Sequence, residues 1–151
     1  MTHDRSAALA LLREELKRPP FHEVLRPQAL DADPSTGTVV IALDYRDEFA
    51  RAPNENSFHG GVIATLIDLA GHAAVAVKIG KMAPTIDLRI DYLRASAGEN
   101  LIARARLLKV GSMVARVDID ITDTQGRLIA VGRGSFSTHI TEDGIFAGKT
   151  G

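Results

Sequence analysis

The sequence predicts an α+β fold in which a curved antiparallel sheet wraps one long helix. Three observations lead there. Ile63, Leu66, Ile67, Ala70, Ala74 and Val77 recur at helical spacing, with no proline between His59 and Val77. After Gly80, four successive stretches show the twofold alternation of strands or run apolar between short polar turns. A lone helix with an apolar stripe has to bury that stripe, and a strongly curved sheet is the simplest cover for it.

The elements follow in order. Thr2 or Asp4 is placed to cap a first helix, and the Ala, Leu, Glu and Lys that follow favour helix as far as Lys17. Pro19 and Pro20 stop it. From Phe21 to Pro34 the pattern is weak and reads as one irregular strand. Val39, Ile41, Leu43 and Tyr45 alternate through a strand from Thr38 to Tyr45, and residues 46–58 form a loop holding Pro53, Asn54 and Asn56. The long helix runs from His59 to about Gly80. A strand from Thr85 to Leu93 places Ile86, Leu88, Ile90 and Tyr92 on one face and Thr85, Asp87, Arg89 and Asp91 on the other. Strands follow over Leu101 to Val110, Met113 to Ile121 and Leu128 to Thr138. Gly111-Ser112 reads as a two-residue hairpin turn with glycine first. The organisation is an N-terminal helix (1–20), one domain (21–140) and a polar C-terminal tail (141–151). One long helix wrapped by such a sheet is the hotdog arrangement.

Composition narrows the function. The chain has 151 residues, a net charge of -1 and a pI of about 6.5. No whole-chain basic field is available to a nucleic-acid backbone, and with 5% aromatics and no Trp a base-stacking platform is poorly supplied. Cysteine is absent, which excludes disulfides, thiolate nucleophiles and Cys-based zinc sites. Arg13, Glu14 and Glu15 break the N-terminal apolar run, so no signal peptide is read there. No apolar stretch of about 20 residues is read as a membrane span. The expectation is a cytoplasmic protein with no membrane or nucleic-acid partner.

The chemistry concentrates between Asn54 and Asp68, in Asn-Glu-Asn-Ser-Phe-His-Gly-Gly followed by the apolar helix. Gly60 and Gly61 open a helix, where the first backbone N–H groups have no intrahelical partner and the helix dipole favours negative charge. Such donors can hold the oxyanion of an acyl-transfer reaction, and glycine lets a carbonyl come close to the backbone. The same pair also suits an ordinary helix start. Asp68 interrupts a run of Ala, Leu, Ile and Val, where aspartate is a poor helix residue and a costly one to bury alone. It is either a nucleophile or general base, or a solvated residue on a polar face with Thr65, Gly71 and His72. His72 lies one turn on and can pair with it. No two-histidine helical motif exists, so a metal site is not expected.

Spacing adds a constraint on assembly. Nine residues at 100° each place His59 and Asp68 on opposite sides of the helix, about 13 Å apart along its axis. If both serve one carbonyl, two chains have to meet.

This segment resembles the signature of the 4-hydroxybenzoyl-CoA and phenylacetate-pathway (PaaI-like) thioesterases. So does the later Thr85-Ile-Asp-Leu-Arg-Ile-Asp-Tyr92-Leu, and the resemblance spans residues 54–138. It implies hydrolysis of an acyl-CoA thioester, with an aromatic acyl group suggested, and coenzyme A entering only as part of the substrate. Asp68 is implied as the catalytic acid residue and the Gly60/Gly61 helix start as the oxyanion site. His59 would position that end or the loop, or be a surface or capping histidine. Thr85 would orient the hydrolytic water, or be a plain strand start. In many relatives an asparagine stands six residues before the histidine. Pro53 holds that place here, leaving Asn54, or else Asn56, to reach the carbonyl. Lys109, Gly111, Ser112 and Arg133 are the candidates for the coenzyme A nucleotide. The family also implies homodimers that build two sites across their interface, with pairing into homotetramers. The alternatives are a non-catalytic acyl-CoA-binding sensor on the same scaffold and, with fewer motifs in its favour, a hotdog hydratase.

Overall fold

The structure, a computed structural model, describes residues 4–139. The Thr2 cap and the tail from 141 to 151 lie outside the described residues. Helix α1 spans Arg5–Glu15, and the Asp4 carboxylate accepts from the N–H groups of Ser6 and Ala7 at 2.9 and 3.2 Å. Two otherwise orphaned donors are thereby satisfied. Leu12 and Leu16 enter the main core, and α1 lies against the first strand. The N-terminal helix therefore shares the domain's core.

The segment after it departs from the expectation of a single irregular strand. Pro20 opens a second helix, α2 (Pro20–Leu25), in the first turn, where a missing N–H breaks no intrahelical bond. Arg26, in the left-handed region at φ 55°, ends it. Strand β1 (Gln28–Asp33) then pairs with β2 (Thr38–Leu43). The loop after β2 contains a 3-10 turn at Asp47–Phe49 and a bridge between Ala50 and Phe58.

Helix α3 spans Gly60–Ile79, between an N-cap at His59 and a left-handed C-cap at Gly80. By length and composition alone it would suffice to cross a membrane, which corrects the expectation that no such stretch exists. Its apolar side chains are instead covered by the sheet. Nine of its residues are buried, Ile67, Ala70, Ala74 and Val75 completely. Burying each large side chain contributes about 1.5–3 kcal/mol.

Strands β3 (Thr85–Tyr92), β4 (Leu101–Val110), β5 (Val114–Thr122) and β6 (Leu128–Ser137) complete one antiparallel sheet in the order β1-β2-β4-β5-β6-β3. The alternation is as expected in β5, where Ala115, Val117, Ile119 and Ile121 face the core. The β4–β5 turn is displaced by one residue. Val110 pairs with Ala115 and the Gly111 N–H donates to the Val114 carbonyl, so Ser112 and Met113 form the tip. Gly111 has no positive φ, so the glycine-first turn does not form.

Helix and sheet approach closely along β6. A β-carbon at Gly71 would lie 2.5 Å from Phe136 Cζ, and one at Gly132 would lie 2.5 Å from Ile67 Cγ2. Only glycine admits both contacts. Strand β3 is an edge in the single chain. That leaves Ile86 at 55% and Tyr92 at 53% exposure, while Leu88 and Ile90 are half-buried.

Candidate active site

The start of α3 is held from several directions. Phe58 packs edge-on to Tyr45 (5.2 Å) and stacked on Phe49 (6.2 Å). Its N–H donates to the buried Ser96 Oγ at 2.9 Å, and the next N–H, of His59, donates to the Phe49 carbonyl at 2.7 Å. The chain therefore enters the helix in one fixed direction. Ser96 was not singled out from the sequence, since a loop serine carries no mark of this contact.

His59 is the N-cap. Its Nδ1 accepts from the Gly61 N–H at 2.9 Å, which puts the proton of the neutral ring on the exposed Nε2. The capping reading of His59 is thus what the structure shows, and it leaves Nε2–H free to donate elsewhere. It also separates Gly60 from Gly61 as candidate oxyanion donors. The Gly61 N–H is engaged, whereas among the described residues nothing accepts from that of Gly60. The Tyr92 hydroxyl donates to the Gly60 carbonyl at 2.9 Å. This contact too lies beyond sequence reasoning, which placed Tyr92 only on a strand face.

Asp68 is held by a partner rather than left freely solvated. It is half-buried, Gly71 beyond it is buried under Phe136, and Thr85 Oγ1 donates to Asp68 Oδ1 at 2.5 Å. A short hydrogen bond to a carboxylate is stronger than a neutral one and fixes its orientation. Oδ2 stays available to accept a proton. His72 turns elsewhere: its Nδ1 hydrogen-bonds the Ala83 carbonyl at 2.9 Å. Thr85 and Asp68 thus come together within one chain, while the helix start lies about 12 Å away along α3. The structure brings together two pairs, Gly60 with His59 and Asp68 with Thr85, and keeps the pairs apart.

The asparagine loop borders an open depression of about 780 Å³ lined by Tyr45, Asp47 and residues 50–56. Asn54 is exposed in the left-handed region at φ 60°. The Asn56 amide lies on Gly98, where a β-carbon would be 2.0 Å from its Cγ. Of the four residues expected to meet a nucleotide, Lys109, Gly111 and Ser112 are together at the β4–β5 tip. Arg133 is not with them. It lies mid-strand on the outer face of the sheet, with Nε and a terminal nitrogen donating to Asp118 at 2.6 and 2.9 Å. That pairing holds the Asp118 carboxyl below the usual range against the opposing effect of its burial, and raises Arg133 in turn. Among the described residues no cluster of three or more His, Asp or Glu is placed to hold a metal ion.

A long helix gripped by a single six-stranded antiparallel sheet is the hotdog fold. Residues 55–130 match the family described as the thioesterase superfamily, and the chain belongs to it. That membership, with relatives named acyl-coenzyme A thioesterase, makes it a thioester hydrolase. A putative esterase of Halobacterium salinarum is 39% identical over 115 residues, covering 69% of this chain and 76% of that protein. Human acyl-coenzyme A thioesterase 13 is 32% identical over 100 residues, 64% of this chain and 70% of that one. The structure of the Escherichia coli PaaI protein from the phenylacetic acid degradation operon has a TM-score of 0.79, covering 91% of this chain and 97% of that one. At 24% identity this is a likeness of fold.

Proposed function

We propose that this protein hydrolyses an acyl-CoA thioester to the free acid and coenzyme A, at a site completed by two copies of the chain. The observation that carries this reading is the division of α3: an unpartnered Gly60 N–H at its start and a Thr85-held Asp68 carboxylate about 12 Å further on. One thioester carbonyl cannot reach both in one chain. In a pair of chains, the helix start of one meets the Asp68 of the other. The open edge of β3, with Ile86, Tyr92 and Leu93 exposed, offers apolar surface for that pairing.

The thioester oxygen accepts from the Gly60 N–H, with the His59 Nε2–H as a second donor. Asp68 of the facing chain takes the proton of a water held by Thr85, and the water oxygen attacks the carbonyl carbon. The C–S bond then breaks, and the departing thiolate takes up the proton that Asp68 accepted, giving the coenzyme A thiol and the free carboxylate of Asp68. In a variant of this route Asp68 itself attacks, and water cleaves the resulting anhydride. Single turnover in labelled water separates the two, because only the second puts label into Asp68 first.

The test is thiol release over short, long and aromatic acyl-CoAs with the full chain and its Asp68→Asn variant. The expected result is turnover on at least one class, lost on substitution with no change in fold. Tight acyl-CoA binding without thiol release would instead indicate a sensor. Undiminished hydrolysis by Asp68→Asn would overturn the mechanism.

A further inference from the structure

The geometry points to Tyr92 as a positioning residue that sets the orientation and tautomer of His59 through the Gly60–Gly61 peptide. Three contacts form a chain. The Tyr92 hydroxyl donates to the Gly60 carbonyl at 2.9 Å. That carbonyl belongs to the same peptide unit as the Gly61 N–H, which donates to His59 Nδ1 at 2.9 Å. A donor on the carbonyl oxygen polarises the peptide and strengthens its N–H as a donor. The imidazole is thereby held with Nδ1 as acceptor and Nε2 as the protonated nitrogen, so the ring offers a donor outward.

The arrangement around these contacts is built to hold. The Tyr92 ring lies over Gly60, with Cε1, Cζ and Oη at 3.4, 3.5 and 3.7 Å from where a β-carbon would stand. Tyr92 pairs with Ala130 of β6, and the next N–H, of Leu93, donates to the Ile129 carbonyl at 2.9 Å. The hydroxyl is therefore presented by a strand fixed at its backbone. The other end of β3 carries the Thr85 hydroxyl that holds Asp68. One strand thus sets both groups, the histidine through a peptide and the carboxylate directly. Tyr92 is half-exposed.

The inference rests on the proposed role of His59 for its catalytic consequence, and not for the tautomer. The experiment is Tyr92→Phe in the full chain, which removes only the hydroxyl. The five histidines are labelled with ¹⁵N, and the His59 signals are assigned by their loss in His59→Ala. In the unsubstituted protein the neutral His59 ring shows protonated Nε2 and an accepting Nδ1. In Tyr92→Phe it shows a mixture of tautomers. Loss of one modest hydrogen bond predicts a fall of about 2- to 10-fold in kcat with little change in KM. The same substitution in a His59→Ala background has no further effect on kcat. An unchanged His59 tautomer in Tyr92→Phe overturns the inference. So does an equal loss of kcat with and without His59. A shifted tautomer with unchanged turnover upholds the positioning role and refutes the catalytic use of His59 instead.

Discussion

Gly71→Ala is expected to destabilise the protein, although alanine is the better helix former. In an exposed helix the change would gain about 1 kcal/mol. Here the new β-carbon meets Phe136 Cζ at 2.5 Å, Phe136 Cε2 at 3.0 Å and Ile119 Cδ1 at 3.2 Å. Both side chains are fully buried, so neither can turn away. Overpacking of this kind costs about 1–3 kcal/mol, which leaves a net loss of about 1 kcal/mol. For a chain of this size that is a fall of about 2–4 °C in Tm. In a Phe136→Leu background the ring atoms at 2.5 and 3.0 Å are gone, and the same alanine stabilises by up to about 1 kcal/mol. The coupling between the two sites is then about 2 kcal/mol. Thermal and urea unfolding of the four proteins at one protein concentration measures it. The site follows, because Phe136 pairs in register with Thr85, the donor to Asp68. Pushing β6 off the helix in Gly71→Ala lowers turnover as well as Tm. A rise in Tm on Gly71→Ala alone, or the same shift in both backgrounds, would refute the reasoning.

Three further predictions follow from the same geometry. Gly60→Pro removes the open N–H at the first helical position, where proline fits, after a His59 already extended at φ -61° and ψ 136°. Folding is kept by circular dichroism, while kcat falls by about 10²–10³, the usual loss for one oxyanion donor. Thr85→Val keeps shape but frees Asp68. A steady-state comparison should show kcat reduced with KM little altered, and equal kcat would mean that Thr85 does not orient the carboxylate. His22 is held below its ordinary value of 6.5 by burial and by the nearby His72, against the opposing Leu16 carbonyl. The folded state therefore binds fewer protons than the unfolded one, so its contribution is present above about pH 6.5 and is lost as pH falls below. Tm should drop between pH 7 and 5, and less steeply in His22→Gln.

The sequence made α3 and the late strands legible because their side chains face one core at a regular period. Ile63 to Val77 and Ala115 to Ile121 show this directly. Helix α2 was hidden because six residues hold too little periodicity, and Pro20 reads equally as a stop or a first turn. The β4–β5 turn slipped by one residue because register is set by the pairing of Val110 with Ala115, not by the turn residues alone. Asp68 and Gly60 stood out as chemically unusual in an apolar helix. Thr85 was marked by the resemblance, but its direct bond to Asp68 and the reach of Tyr92 to Gly60 were not, because both depend on β3 crossing to the far side of β6. Gly71 read as part of a polar face, and its contact with Phe136 belongs to a strand over 60 residues away in sequence.

The central claim is that two chains complete each site, and mixing tests it most directly. Gly60→Pro and Asp68→Asn chains, each inactive alone, are unfolded together in equal amounts and refolded. If sites are shared, half of the dimers are mixed and each has one intact site of two, so about a quarter of the unsubstituted activity returns. Thiol release that stays at the level of the separate variants, with mixed dimers shown to form, would contradict the account.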